Sequence, residues 1–164
     1  MWFIGKSLRN DEAFKKAFLD QINNSRSELL IYDSELDSVI FDDKDIVTAL
    51  KDAYRRNVSI KIICGPIIDT RTNELLKLAK EGYISLYKKP ERAEYHYSVS
   101  DGSRVILEAP HKPLQREGIA GRYYSRTLAL GDLRRKHFYS QIESGKVQKV
   151  EPDKIWEQFE FMLI

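Results

Sequence analysis

Cysteine is nearly missing from this 164-residue chain. The one thiol, Cys64, can close no internal disulfide and cannot build a zinc site by itself. No apolar run approaches the roughly 18 residues that a membrane-spanning helix needs, so no membrane partner is expected. The opening residues, MWFIGKSLRNDE, lack the basic start and long apolar stretch of a secretory signal. No segment is of low complexity, no internal repeat recurs and no linker divides the chain. These absences imply one soluble, cytoplasmic domain spanning 1–164, long enough for a proper core.

What is present is ordinary for a folded protein: 42% apolar and 32% charged residues. The net charge of +2 hides an asymmetry. Residues 1–60 carry 9 Lys/Arg against 11 Asp/Glu, whereas residues 104–150 carry 10 against 4. A basic second half points to phosphate or another anion. A solvated Lys/Glu-rich surface would give the same count.

The order of elements carries more. Phe14, Phe18 and Ile22 recur four apart behind Asn10 and Asp11, which predicts an amphipathic, capped helix over 11–24. SELLIYD (27–33) reads as a short apolar strand. Residues 44–56 put Ile46, Val47, Leu50, Ala53 and Tyr54 on one helical face, with Asp42 or Asp43 as cap and Asn57 at the end. VSIKIIC (58–64) suits a strand buried on both faces, and Gly65-Pro66 breaks it. A helix over 71–81 and the strand YISLY (83–87) follow. This alternation argues for parallel strands with right-handed crossovers. GRYYSR (121–126) predicts a further strand, 132–144 leans toward a helix through Leu133, Phe138 and Ile142, and Pro152 opens a last helix with Ile155, Trp156, Phe159 and Met162–Leu163 inward.

Between them lies EYHYSVSDGSRVILEAPHKP (94–113), two strands folded back around Asp-Gly. Alternation puts His96 and Ser98 on one face and Tyr95, Tyr97 and Val99 on the other. A turn at Ser100–Ser103 pairs His96 near Ala109, with His111 one diagonal step on, so the two histidines are expected together. Glu108 is expected on the opposite face, and with no cysteine nearby no metal or cofactor is assigned. The acidic run YDSELDSVIFDDKD (32–45) follows a strand, where a divalent ion could sit. It lacks the order of acids and the central glycine of a calcium loop, and helix capping explains it. Arg134, Arg135 and Lys136, with Arg122 and Arg126, offer a basic, aromatic-interleaved surface for nucleic acid. A charged face over a buried aromatic stripe is the alternative.

DIVTALKDAYRRNVSIKIICG (45–65) resembles the phospholipase D superfamily pattern of a helix, then A-x-x-R-G-V-x-V-x-I, with Asn57 in place of the glycine. That family next carries a strand with H-x-K, an aspartate, a tight turn and a second strand ending in G-S-x-N. Here His96 takes the histidine position, Ser98 the lysine position and Asp101 the aspartate position, while Glu108-Ala109-Pro110-His111 falls where G-S-x-N would lie. The closing IWEQF also resembles the family's last helix, and the likeness runs over 10–162. It implies an α/β fold with a mixed sheet and helices on both faces.

In active members two such motifs meet across a two-fold axis. One histidine attacks phosphorus, the other protonates the leaving oxygen, and the lysines and Ser/Asn groups stabilise developing charge. Ser98, Ala109 and His111 stand in three of those charge-stabilising places. Lys112 or Arg104 could substitute for the missing lysine, although Arg104 sits at the turn. The chain is similar to the degenerate phospholipase D-like domains of archaeal transcriptional regulators. That likeness implies a non-catalytic binding or regulatory role, an anionic or phosphate-containing ligand near His96 and His111, and a regulatory protein partner. Two alternatives follow: a metal-independent phosphodiesterase or nuclease working through His96, Asp101 and His111 as a homodimer, or a nucleic-acid-binding protein using the basic second half.

Overall fold

The computed structural model describes residues 5–115 and 117–162. Strand β1 (Lys6–Leu8) leads into helix α1 (Asp11–Asn23), strand β2 (Glu28–Tyr32), a short helix α2 (Ser38–Phe41) and helix α3 (Lys44–Arg55). Then come β3 (Ser59–Cys64), β4 (Ile67–Asp69), α4 (Glu74–Lys80) and β5 (Ser85–Lys88). The hairpin β6 (His96–Ser100) and β7 (Arg104–Glu108) is followed by β8 (Gly121–Tyr124), α5 (Leu128–Glu143) and β9 (Gln148–Lys149). A 3₁₀ turn over Pro152–Glu157 precedes β10 (Glu160–Met162).

Eight strands make one mixed sheet in the order β1-β8-β7-β6-β2-β3-β5-β9. Its centre, β2, β3 and β5, is parallel and linked through helices; β6 joins β2 antiparallel, and β7, β8 and β1 continue that half. The local reasons are those the sequence predicts. Asn10 accepts the Ala13 amide at 2.8 Å to start α1, and Asp43 accepts from Asp45 and Ile46 to start α3. Asn57, at φ 67°, takes the left-handed position that ends α3. Strand β2 is apolar without alternation because both its faces are covered: Leu29 and Ile31 pack under α1 and α3, Leu30 and Tyr32 under α5.

Four expectations need correction. The last segment is not a helix. After the 3₁₀ turn, Glu160–Met162 pairs in parallel with Ile67–Asp69, so strand pairing outweighs the helical spacing of Ile155 and Phe159, both of which are buried. Trp156 is 43% exposed rather than inward, and Leu163 lies outside the described residues. Helix α5 is real but starts at Leu128 and turns Leu133 to solvent; it buries Gly131, Phe138 and Gln141 instead. Tyr54 lies on the surface of α3, edge-on to Tyr83 at 5.0 Å. Cys64 is fully buried, and burial pushes its thiol well above the usual range. No helix among the described residues is long and apolar enough to cross a membrane.

Helix α5 rests on the tip of the β6–β7 hairpin. A Cβ at Gly131 would lie 1.9 Å from the carbonyl oxygen of Gly102, a clash with backbone that no rotamer relieves. Gly131→Ala should therefore lower stability by about 1–3 kcal/mol or more, as overpacking does. Urea denaturation checks it, and an unchanged midpoint would mean that α5 does not seat on the turn.

Candidate functional site

The hairpin register decides which side chains meet. Asp101 and Gly102 take positive φ, at 51° and 66°, and the Ser103 amide closes the turn on the Ser100 carbonyl at 3.0 Å. The Ser103 carbonyl is taken by the Thr127 amide, at 2.8 Å, so the ladder resumes only at Arg104. Glu108, not Ala109, therefore stands opposite His96. Directly opposed side chains share a face, and the expectation that Glu108 points away is overturned.

His111 folds back from beyond β7 so that its ring meets His96 edge-on, with centroids 4.8 Å apart. The two histidines do come together, as expected, but with carboxylates between and around them. Glu108 lies 3.0 Å from His111 Nε2 and 3.4 Å from His96 Nδ1. Asp33, at the end of β2 beside β6, puts Oδ2 3.6 Å from the same His96 nitrogen. Glu35, 3% exposed, is paired with Arg92, whose Nη2 also donates to the His111 carbonyl at 2.9 Å. The loop that carries Asp33 and Glu35 is tightly held. Asp33 Oδ1 accepts from the Ser34 and Leu36 amides, and Leu36 itself sits at φ 51°, a strained position for a leucine.

Asp33, Glu35, His96, Glu108 and His111 line a cavity of about 90 Å³ whose other wall is Phe14, Phe18, Phe41 and Ile106. Burial opposes charge on His96, but Asp33, Glu108 and Glu35 outweigh it and lift the imidazole to about 9. Burial likewise opposes charge on Glu108, yet the hydrogen bonds to His111 and His96 hold it down at about 2. His111 is raised chiefly by its bond to Glu108. His96 Nε2 is buried and has no hydrogen-bond partner among the described residues.

The other candidates scatter. Ser98 is buried on the histidine face and donates to Gln21 at 2.6 Å. Asp101 stands at the opposite end of the hairpin, five residues from His96, or roughly 16 Å at strand rise. There it accepts from the Arg26, Ser27 and Glu28 amides and the Ser27 hydroxyl, which pins the turn to the start of β2. Those bonds hold its carboxyl below the usual range against burial. Arg104, at the same end, gives its carbonyl to Gln21 and lies by Tyr123. Lys112 is exposed, and the bonds it makes run through its backbone, its amide donating to Gln115 and its carbonyl accepting from His111 Nδ1 and the Gln115 amide.

The proposed basic surface also divides. Arg135 is tied to Glu28 at 2.9 Å and Lys136 to Asp132 at 2.7 Å, while Arg126 is exposed beyond β8. Arg122 and Arg134 instead line a second cleft with Arg9, Tyr95, Ala109, His96 and Glu108. Arg134 lies over Tyr95 and Tyr97, 5.3 Å from each ring centre, and its buried Nε lacks a hydrogen-bond partner among the described residues. Asp33, Glu35, Arg92, Gln21 and Arg9 were not singled out as site residues from sequence. The one usable signal was position: acids at the carboxyl end of a central parallel strand.

No protein-family model matches the sequence, and no curated protein does. Solved structures match the fold. NucT from Helicobacter pylori is 12% identical, with a TM-score of 0.65 over 91% of this chain and 100% of that one. Nuc from Salmonella typhimurium, a phospholipase D family member, is 14% identical, with a TM-score of 0.58 over 90% and 99%. TrmBL2, an archaeal chromatin protein with its own mode of DNA binding, is 17% identical, with a TM-score of 0.60 over 88% of this chain. The present chain spans only 54% of TrmBL2's length. The fold is phospholipase D-like.

The charged cluster makes stability depend on pH from both sides. Glu108, ordinarily near 4.5, is about 2 in the fold, so its contribution is present above pH 4.5 and is lost as pH falls toward 2. His96, ordinarily near 6.5, is about 9, so its contribution is present below pH 6.5 and is lost as pH rises through 9. In chelator-treated buffer, Tm should peak between those limits. A Tm as high at pH 9 as at pH 6 would contradict the cluster's role, and Glu108→Gln should flatten both limbs.

Proposed function

We propose that this chain is a phospholipase D-like binding or regulatory domain that recognises a phosphate-containing or other anionic group without turning it over. One observation carries the reading. Where phosphoryl transfer needs cations beside the histidine, Ser98 has its hydroxyl bound to Gln21, and the near neighbours of His96 are Asp33, Glu35 and Glu108. A phosphoryl oxygen arriving on that face would find the positive charge of the histidines already taken up by Asp33 and Glu108, with no lysine beside them. Losing even one charge-stabilising donor typically slows such chemistry about a hundred- to a thousandfold. The anion is better served by the cleft of Arg9, Arg122 and Arg134, none of which is ion-paired among the described residues. His96 also borders that cleft. Likeness to an archaeal chromatin protein supports a regulatory setting, in which a partner protein belongs to the proposal.

A second reading has its own support. His96 has Nδ1 among carboxylates and Nε2 without a hydrogen-bond partner among the described residues, the arrangement a histidine nucleophile needs. It requires a second copy of the chain to supply the second histidine across a two-fold axis, and gel filtration would have to show a dimer.

Both readings meet in one experiment. The purified protein with EDTA is given a chromogenic phosphodiester and, separately, a labelled single-stranded oligonucleotide in rising salt. No turnover is expected, together with salt-sensitive binding that falls about tenfold in Arg9→Ala and in Arg122→Ala, the loss of one charged hydrogen bond. Turnover abolished by His96→Ala would replace the binding role with a phosphodiesterase. Binding indifferent to both arginines would remove the cleft.

A further inference from the structure

We propose that His96, Glu108 and His111, with Asp33 as fourth donor, form a binding site for one divalent transition-metal ion of the Zn²⁺ class. The donor atoms already converge: with one atom from each, His96, Glu108 and His111 all lie within 4.8 Å of one another. His111 Nε2 lies 3.3 Å from His96 Nδ1, and the two oxygens of Glu108 face the two rings, Oε1 3.0 Å from His111 Nε2 and Oε2 3.4 Å from His96 Nδ1. Tetrahedral zinc with bonds of about 2.0–2.1 Å separates its ligand atoms by about 3.3 Å. Asp33 Oδ2 lies outside that group of three but 3.6 Å from His96 Nδ1, and it completes the shell by moving in as the ion binds.

Orientation agrees. His111 Nδ1 lies 2.7 Å from the Lys112 carbonyl, to which it donates. That bond fixes the tautomer that leaves the Nε2 lone pair facing His96 and Glu108, as an outer hydrogen bond does for metal-bound histidine. Two imidazole nitrogens aimed at each other across 3.3 Å beside a carboxylate need either a proton or a cation between them.

The charge balance selects the ion. Arg92 neutralises Glu35, which leaves Asp33 and Glu108 as the two carboxylates facing the histidines. With both imidazoles neutral, those two negative charges match one divalent cation in a largely buried site. Binding displaces the protons otherwise held on the imidazoles, so metal and protons compete for one position. An ion on His96 Nδ1 also obliges Nε2 to carry its proton, leaving a donor rather than a nucleophile.

The test uses the full chain, stripped with EDTA, dialysed and titrated near pH 8 with Zn²⁺ by calorimetry and with Co²⁺ by visible absorption. One ion per chain is expected, with the intense d–d bands of a four-coordinate Co²⁺ site. Glu108→Gln and His111→Gln should each weaken Zn²⁺ binding by about a hundredfold or more, beyond what an outer-shell partner contributes. His137→Gln, at the remaining histidine, should leave binding unchanged. No stoichiometric uptake by the unaltered protein overturns the site, as does uptake that survives both substitutions in variants with native circular dichroism. The anion cleft shares His96 and Glu108 as a wall but is tested separately, through Arg9 and Arg122, which take no part here.

Discussion

Three carboxylates, Asp33, Glu35 and Glu108, are gathered with little solvent at one end of the sheet, and like charges so placed must be compensated. Arg92 answers Glu35 and reaches on to the His111 carbonyl. The histidines answer the other two. This compensation holds together parts of the chain that share no ladder: the loop after β2, the end of β7 and the segment carrying His111. The paired strands deliver the acids, and the charge pairing then fixes the loop.

Much of the framework was legible because its signals are local. The spacing of Phe14, Phe18 and Ile22, the caps at Asn10 and Asp43 and the unbroken VSIKIIC run each act within a few residues. Where tertiary contacts decide, the reading failed. Glu160–Met162 becomes a strand because Ile67–Asp69 offers it an edge. The face of α5 is set by a glycine against a glycine and by Arg134 over two tyrosines, so Leu133 had no claim to the core. The meeting of His96 with His111 was expected from alternation in a register one residue off; the rings meet because the chain folds back after Glu108. The placing of Asp33 was not, because nothing local says that β2 and β6 are neighbours.

The fold and its chemistry also separate here. A phospholipase D-like sheet can hold very different side chains at one position, since architecture constrains the backbone and leaves the site free. Helix capping absorbs much of the acidic run, through Asp37, Asp42 and Asp43. Asp33 and Glu35, in the same run, turn inward instead. One stretch of sequence thus serves both helix starts and the charged pocket.

The turn that leaves Ser103 out of the ladder has a consequence for tracing this protein's relatives. His96 and Glu108 oppose each other because they lie 12 positions apart on strands joined by that turn. One residue gained or lost within either strand would carry every later side chain to the other face. It would exchange Glu108 for a neighbour without altering a single cluster residue. Among distant homologues, the preserved interval between histidine and glutamate is therefore a better mark of common descent of this site than the letters on either side.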